Sequence, residues 1–117
     1  MSEPNEELKD GSSSVPTELV SFLEQNPAYY PVFRSNLCIL LLKSISEKAK
    51  NLTMLKAEFP KLSQEDLSDL VHTLVSVGAV SYFDAGSNRF FYINDSGRFF
   101  LSIYEHAKEE FVGLSTD

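Results

Sequence analysis

Apolar residues recur at helical spacing along most of this chain. Between residues 31 and 50 they form two adjacent stripes: Phe33, Leu37, Leu40 and Leu41, and beside them Cys38, Leu42, Ile45 and Ala49. This spacing predicts one helix that is apolar over most of its circumference. Such a helix must be covered on more than one side, either by a preceding helix or by a second chain.

A shorter amphipathic helix is predicted before it. This helix opens at Pro16-Thr17 and ends at Asn26-Pro27, where the proline disfavours a continuing helix. Residues 1 to 15 are polar and acidic with a serine run, which predicts a disordered tail. We therefore expect one domain over residues 16 to 112, with residues 113 to 117 as a disordered C-terminus.

The next segment contains clear helix start and stop signals. Thr53 is predicted to cap a short helix over residues 54 to 59, which a proline then breaks. Ser63 is the predicted N-cap of a second helix, with Asp66 in the capping-box position. The apolar positions of that helix are Leu67, Leu70, Val71, Leu74 and Val77. Gly78 follows where a left-handed C-cap belongs.

Two runs of aromatic and β-branched residues come next, at residues 80 to 83 and 89 to 93. The turn-rich residues 84 to 88 join them, which predicts a two-stranded hairpin. Alternation places Phe90 and Tyr92 on one face of the second strand, and Phe91 and Ile93 on the other. Because both faces are apolar, we expect the hairpin to be covered on both sides. A last helix is predicted from about residue 95 to 111.

Three of these pieces together carry a resemblance to a known family. They are Ser63-x-x-Asp66-Leu67-x-x-Leu70-Val71-x-x-Leu74, then Val77-Gly78-Ala79-Val80, then Tyr92-Ile93-Asn94-x-x-Gly97-Arg98. In this order they resemble the winged-helix domains of MarR-like and ArsR-like transcription regulators, over roughly residues 31 to 111. The resemblance implies an α+β winged helix-turn-helix. Its three-helix core would carry a two-stranded wing and an extra helix at each end.

The resemblance also implies a function. It makes residues 63 to 77 the recognition helix and residues 84 to 89 the wing tip. We therefore expect a non-enzymatic transcription regulator that binds double-stranded DNA as a homodimer. The residues expected to contact base edges are Gln64, Ser68, His72 and Thr73. Those expected to hold phosphates are Lys48, Lys50, Lys56 and Arg89.

Charge opposes this expectation. The chain has 10 basic and 17 acidic residues, a formal charge of −7. Residues 63 to 78 contain three acids and no lysine or arginine. An alternative is therefore a winged-helix interaction module that docks a basic protein partner through this acidic helix.

Other chemistry finds little support in the sequence. Cys38 is the single cysteine and lies in an apolar run, and His72 and His106 are far apart in sequence. No catalytic or zinc-binding spacing is present, so neither an enzyme nor a cofactor nor a metal site is expected. The longest fully apolar run, Leu37 to Leu42, is six residues and far too short to cross a bilayer. We expect a cytoplasmic protein that does not bind membranes.

Overall fold

A computed structural model describes the backbone of residues 11 to 116 and the side chains of residues 17 to 108. Six α-helices, one 3-10 turn and two strands follow one another along the described chain. They are α1 (Gly11–Gln25), the 3-10 turn (Pro27–Tyr29), α2 (Tyr30–Phe33), α3 (Asn36–Glu47), α4 (Leu52–Glu58), α5 (Gln64–Ser76), β1 (Val80–Ala85), β2 (Asn88–Ile93) and α6 (Asp95–Thr116).

The terminal helices are longer than the sequence predicts. α1 begins at Gly11 rather than near Pro16, and α6 continues to Thr116 rather than ending near residue 111. The extension of α6 contains no proline, and its single glycine costs only about 1 kcal/mol relative to alanine in a helix. Residues 1 to 10 of the predicted tail, and Asp117, lie outside the described residues.

The prediction of a single helix over residues 31 to 50 is wrong. Two short helices, α2 and α3, replace it, because Ser35 adopts an extended backbone conformation and its hydroxyl accepts a hydrogen bond from the Cys38 amide at 3.2 Å. α3 ends at Glu47 because Lys48 is again extended. Lys50 then pairs antiparallel with Phe91 through two backbone hydrogen bonds of 2.9 and 3.0 Å. This bridge attaches the wing to the end of α3.

Caps define the helix-turn-helix. Asn51, not the predicted Thr53, caps α4, since its side chain accepts from the Met54 amide at 2.8 Å. The Ser63 cap of α5 is confirmed by a 3.0 Å hydrogen bond from the Asp66 amide. Gly78 has the positive φ of +90° that the predicted C-cap requires.

The core lies between α3, α5, β2 and α6. Its fully buried apolar side chains include Leu41, Leu42, Leu55, Leu67, Leu74 and Phe100. α1 packs along α6 and adds Leu19 and Leu23 to the same cluster. The core holds the start of α5 and the base of the hairpin in fixed positions, and leaves the outer side of α5 open.

The hairpin has one buried and one exposed face. β1 and β2 pair antiparallel from Val80 opposite Ile93 to Ala85 opposite Asn88. Phe83, Phe90 and Tyr92 lie together on the outer face, where the rings of Phe83 and Phe90 stack at 5.6 Å. Phe83 and Tyr92 are exposed. The expectation that the hairpin is covered on both sides is therefore wrong for the described chain.

Candidate nucleic-acid interface

The outer side of α5 presents a row of uncharged polar side chains. Gln64, Ser68 and His72 are exposed and recur every four residues, so they share one helix face. Thr73 is only half-exposed, and its hydroxyl donates to the carbonyl of Asp69 at 3.1 Å. Three of the four side chains predicted to contact base edges are thus open to a partner, whereas the Thr73 hydroxyl already has an intrahelical partner.

An open cleft of about 380 Å³ lies between α5, the start of α4 and the wing. Polar residues from three segments line it: Asn51, Thr53, Ser68, His72, Ser87, Asn88 and Arg89. Its apolar lining comes from Leu52, Val71, Val75, Tyr82 and Phe91. Asn51, Thr53, Ser87 and Asn88 are not among the site residues predicted from sequence, because only the folded chain brings the wing tip and the start of α4 to the same cleft.

Lys50 is not available to phosphates, which corrects the prediction from sequence. Its side chain is buried, with 1% of the residue exposed. The ammonium donates to Ser44 Oγ at 2.7 Å, to Glu58 Oε2 at 2.6 Å and to Glu47 Oε1 at 3.3 Å. A lysine so engaged holds the end of α3 to α4.

The Lys50 network shifts the pKa of both main partners. Burial would lower the pKa of Lys50, but the hydrogen bonds and charges of Glu58 and Glu47 outweigh burial and raise it. The hydrogen bonds from Lys50 and then Ser44 lower the pKa of Glu58. Both groups are therefore held in their charged forms.

Two more of the predicted phosphate ligands already have partners within the chain. Lys56 donates to the carbonyl oxygens of Pro60 and Leu62, so it stabilises the turn between α4 and α5. Arg89 forms two hydrogen bonds with Asp84, and its guanidinium lies 4.1 Å from the centre of the Tyr82 ring. Lys48 is exposed at the C-cap of α3.

Comparison with solved structures finds proteins of similar fold. An ArsR-like transcriptional regulator from Rhodococcus sp. RHA1 matches with a TM-score of 0.57 and 11% identity, covering 83% of this chain and 93% of that one. The adhesin competence repressor AdcR from Streptococcus pyogenes matches with a TM-score of 0.59 and 14% identity, covering 92% and 80%. The heme sensor protein PefR from Streptococcus agalactiae, in complex with heme, gives 0.54 and 16%, covering 88% and 77%.

The fold is a winged helix-turn-helix. This confirms the α+β fold class and the resemblance drawn from the sequence. At identities of 11 to 16% the likeness is one of fold alone. Neither a scan with protein-family models nor a search of curated proteins found a match to this chain.

In the winged-helix fold, α5 has the position of the recognition helix and the β1–β2 hairpin has the position of the wing. Glu65, Asp66 and Asp69 are exposed on α5, and Glu65 and Asp66 lie in its first turn, where acids favour the helix dipole. Beside them, the wing arginine is already paired with an aspartate. This winged-helix surface therefore offers many neutral hydrogen-bond donors and few free cations.

Two further properties of the described chain bear on chemistry. Over the residues whose placement is described, no three His, Cys, Asp or Glu side chains come together as a metal-binding group. Within the same part of the winged-helix chain, no helix combines the length and apolar character that a membrane span requires.

Proposed function

We propose that this chain is a winged-helix transcription regulator that binds duplex DNA through α5 and the wing. The observation that carries the proposal is the exposed row Gln64, Ser68 and His72 beside the open cleft under the wing. Major-groove recognition needs a helix whose outer face carries hydrogen-bonding side chains, and neutral groups suffice for it. Glutamine can bind adenine through two hydrogen bonds, and serine can bond to several base edges.

The same surface predicts an unusual salt dependence. Lys48 is exposed on each protomer, whereas Arg89 is exposed but paired with Asp84. Each phosphate neutralised on duplex DNA contributes about −0.9 to the slope of log K against log salt. A dimer in which only the two Lys48 side chains neutralise phosphates should show a slope of about −2, shallower than that of a strongly basic regulator.

The exposed apolar side of α3 supports a homodimer. Leu37 and Leu40 of α3 and Phe33 at the end of α2, together called the α3 stripe, are exposed in the single chain, with Leu40 the most open at 48%. The described part of α1 does not bury these residues, so the second cover expected from the sequence is a second copy of the chain. Two-fold pairing would set two α5 helices on successive major grooves, about 34 Å apart.

Charging the α3 stripe should separate the protomers. The double variant Leu37→Glu/Leu40→Glu places four acids in a two-fold interface and should sediment as a monomer where the unaltered chain sediments as a dimer. Val20→Glu is the matched control, because it adds charge at an exposed apolar position of α1. Loss of the dimer with Val20→Glu alone would move the interface to α1, and an unaltered chain that sediments as a monomer would contradict the homodimer.

DNA binding is tested by selecting duplexes from a random library at about 50 mM salt, then titrating the enriched duplex by fluorescence anisotropy. A good two-hydrogen-bond contact to a base is worth about 1–3 kcal/mol. Gln64→Ala should therefore weaken the enriched duplex at least about five-fold while leaving a scrambled duplex unchanged. Gln25→Ala, an exposed glutamine on α1, is the control.

The outcome against DNA binding is equally specific. If selection enriches no duplex, or if the triple variant Gln64→Ala/Ser68→Ala/His72→Ala binds as well as the unaltered chain, the proposal fails. A second candidate is docking of a basic protein surface, and the exposed acids Glu65 and Asp69 favour it. If the chain binds DNA, neutralising both acids should strengthen its binding to duplex. If it docks a basic protein, the same change should weaken binding of that protein.

A further inference from the structure

The one arginine near the wing tip is paired with an acid directly across the hairpin. Asp84 and Arg89 are opposite each other in the β1–β2 register. Arg89 Nε donates to Asp84 Oδ1 at 2.8 Å, and Nη2 donates to Oδ2 at 3.3 Å. The Tyr82 ring covers one face of the guanidinium at 4.1 Å. Two donors and one face of Arg89 are therefore occupied within the wing.

A phosphate and a carboxylate bind a guanidinium in the same way. Both accept two parallel N–H hydrogen bonds from one edge of the planar group. The Nε/Nη2 edge of Arg89 holds the Asp84 carboxylate, so a phosphate takes that edge only after the carboxylate leaves it. The side chains of Arg89 and Asp84 are 51% and 58% exposed, and ion pairs so open to water are held weakly enough to exchange.

We propose that Asp84 is a specificity-determining residue that competes with the DNA backbone for Arg89. The inference rests on the proposed function, since it concerns how the same surface meets duplex DNA. Each protomer gains a phosphate on the Nε/Nη2 edge of Arg89 only by exchanging the Asp84 carboxylate for it. The sequence-independent part of binding is thereby reduced, while hydrogen bonds from α5 to base edges are unaffected. Asp84 makes the wing favour DNA that α5 also recognises.

The proposal is tested with Asp84→Asn in the full chain. Asparagine keeps the size of the side chain and removes the competing charge, so a random-sequence duplex should bind about three- to ten-fold more tightly at low salt. The salt slope should steepen by about 0.9 for each Arg89 that gains a phosphate. The preference for an enriched duplex over a random one should fall. Glu24→Gln, which removes one exposed acid from α1, should change none of these.

Arg89→Gln provides the second arm. In that background Asp84→Asn should no longer steepen the salt slope, because the released cation is absent. The Nε–Hε resonance of Arg89 gives a direct readout, and it should shift when duplex is added to the unaltered chain. A variant that is merely misfolded would change many resonances and would not change the salt slope and the Arg89 Nε–Hε resonance alone.

The outcomes separate this inference from DNA binding itself. If the unaltered chain binds duplex and Asp84→Asn binds it no more tightly, or more weakly, then Asp84 positions Arg89 and the inference is overturned while the function stands. If Asp84→Asn binds random duplex more tightly with a steeper slope, the inference holds. If neither protein binds any duplex, the proposed function and the inference both fail.

Discussion

Replacing Lys50 with methionine should lower the free energy of unfolding by about 2–4 kcal/mol. Removing one partner of a buried ion pair costs about 3–5 kcal/mol, because the other group is left without its counter-charge. Here the cost is discounted, since the side chain of Glu58 is 41% exposed and water can hydrate part of it. Methionine keeps the unbranched lysine stem as far as the ε-carbon, so packing changes little.

The measurement is urea denaturation followed by far-ultraviolet circular dichroism. Lys48→Met is the matched control, because Lys48 is two residues away and exposed, and an exposed substitution normally stays within about 0.5 kcal/mol. Equal losses in the two variants would show that the buried network adds nothing beyond an ordinary surface lysine.

The pH dependence of stability should change in the same variant. The pKa of Glu58 lies below its ordinary value of 4.5 in the folded chain, chiefly because of the hydrogen bond from Lys50 and then that from Ser44. A depressed carboxyl pKa contributes stability that is present above 4.5 and is lost as the pH falls through the lower folded value. Lys50→Met should therefore flatten the acid limb of the stability curve.

The alkaline limb has the opposite sign. The pKa of Lys50 lies above its ordinary value of 10.5 because its bonds to Glu58 and Glu47 outweigh burial, so its stabilisation is present below 10.5 and is lost as the pH rises through the higher folded value. The unaltered chain should keep its network through neutral pH. An acid limb as steep in the variant as in the unaltered chain would rule out Glu58 as its source.

The sequence predicts α5 well because the signals for this helix are local. Ser63 and Gly78 cap α5 through contacts within a few residues. The apolar repeat between them predicts which side of the helix is buried. The break between α2 and α3 was equally local, since Ser35 is a helix-capping residue. The apolar pattern, however, continues through Ser35 and by itself predicts one unbroken helix.

Local signals could not predict that three of the four expected phosphate ligands bond to other residues of the chain. Lys50 is buried because its backbone pairs with Phe91, forty-one residues later. A single bridge between such distant residues has no local sequence pattern. The Asp84–Arg89 pair, in contrast, can be predicted from the sequence. Once Gly86 and Ser87 are taken as the two-residue tip, the antiparallel register places these side chains opposite each other.

Gly97→Ala should destabilise the fold by about 2 kcal/mol or more, although alanine is the better helix former. A Cβ at this position would collide with the carbonyl oxygen of Ala79 and lie 2.9 Å from Ile93 Cγ1. The obstacle is backbone, and that carbonyl already accepts a hydrogen bond from the Asn94 amide at 3.1 Å, so it is not free to move aside. Overpacking of this kind costs about 1–3 kcal/mol or more, against about 1 kcal/mol gained in helix propensity.

Gly86→Ala separates this clash from the general effect of losing a glycine. Gly86 has a positive φ of +63° and nothing within 4 Å of its added Cβ, so alanine there should cost only about 1–2 kcal/mol. Thermal and urea unfolding of both variants provide the comparison, and a Gly97→Ala loss of stability no larger than that of Gly86→Ala would contradict the close approach.

The Gly97 contact matters beyond stability, because it sets the start of α6 against the junction between α5 and β1. A chain that must widen this gap should tilt the wing relative to the recognition helix, so Gly97→Ala should shift the amide resonances of β1 and β2 as well as those of α6.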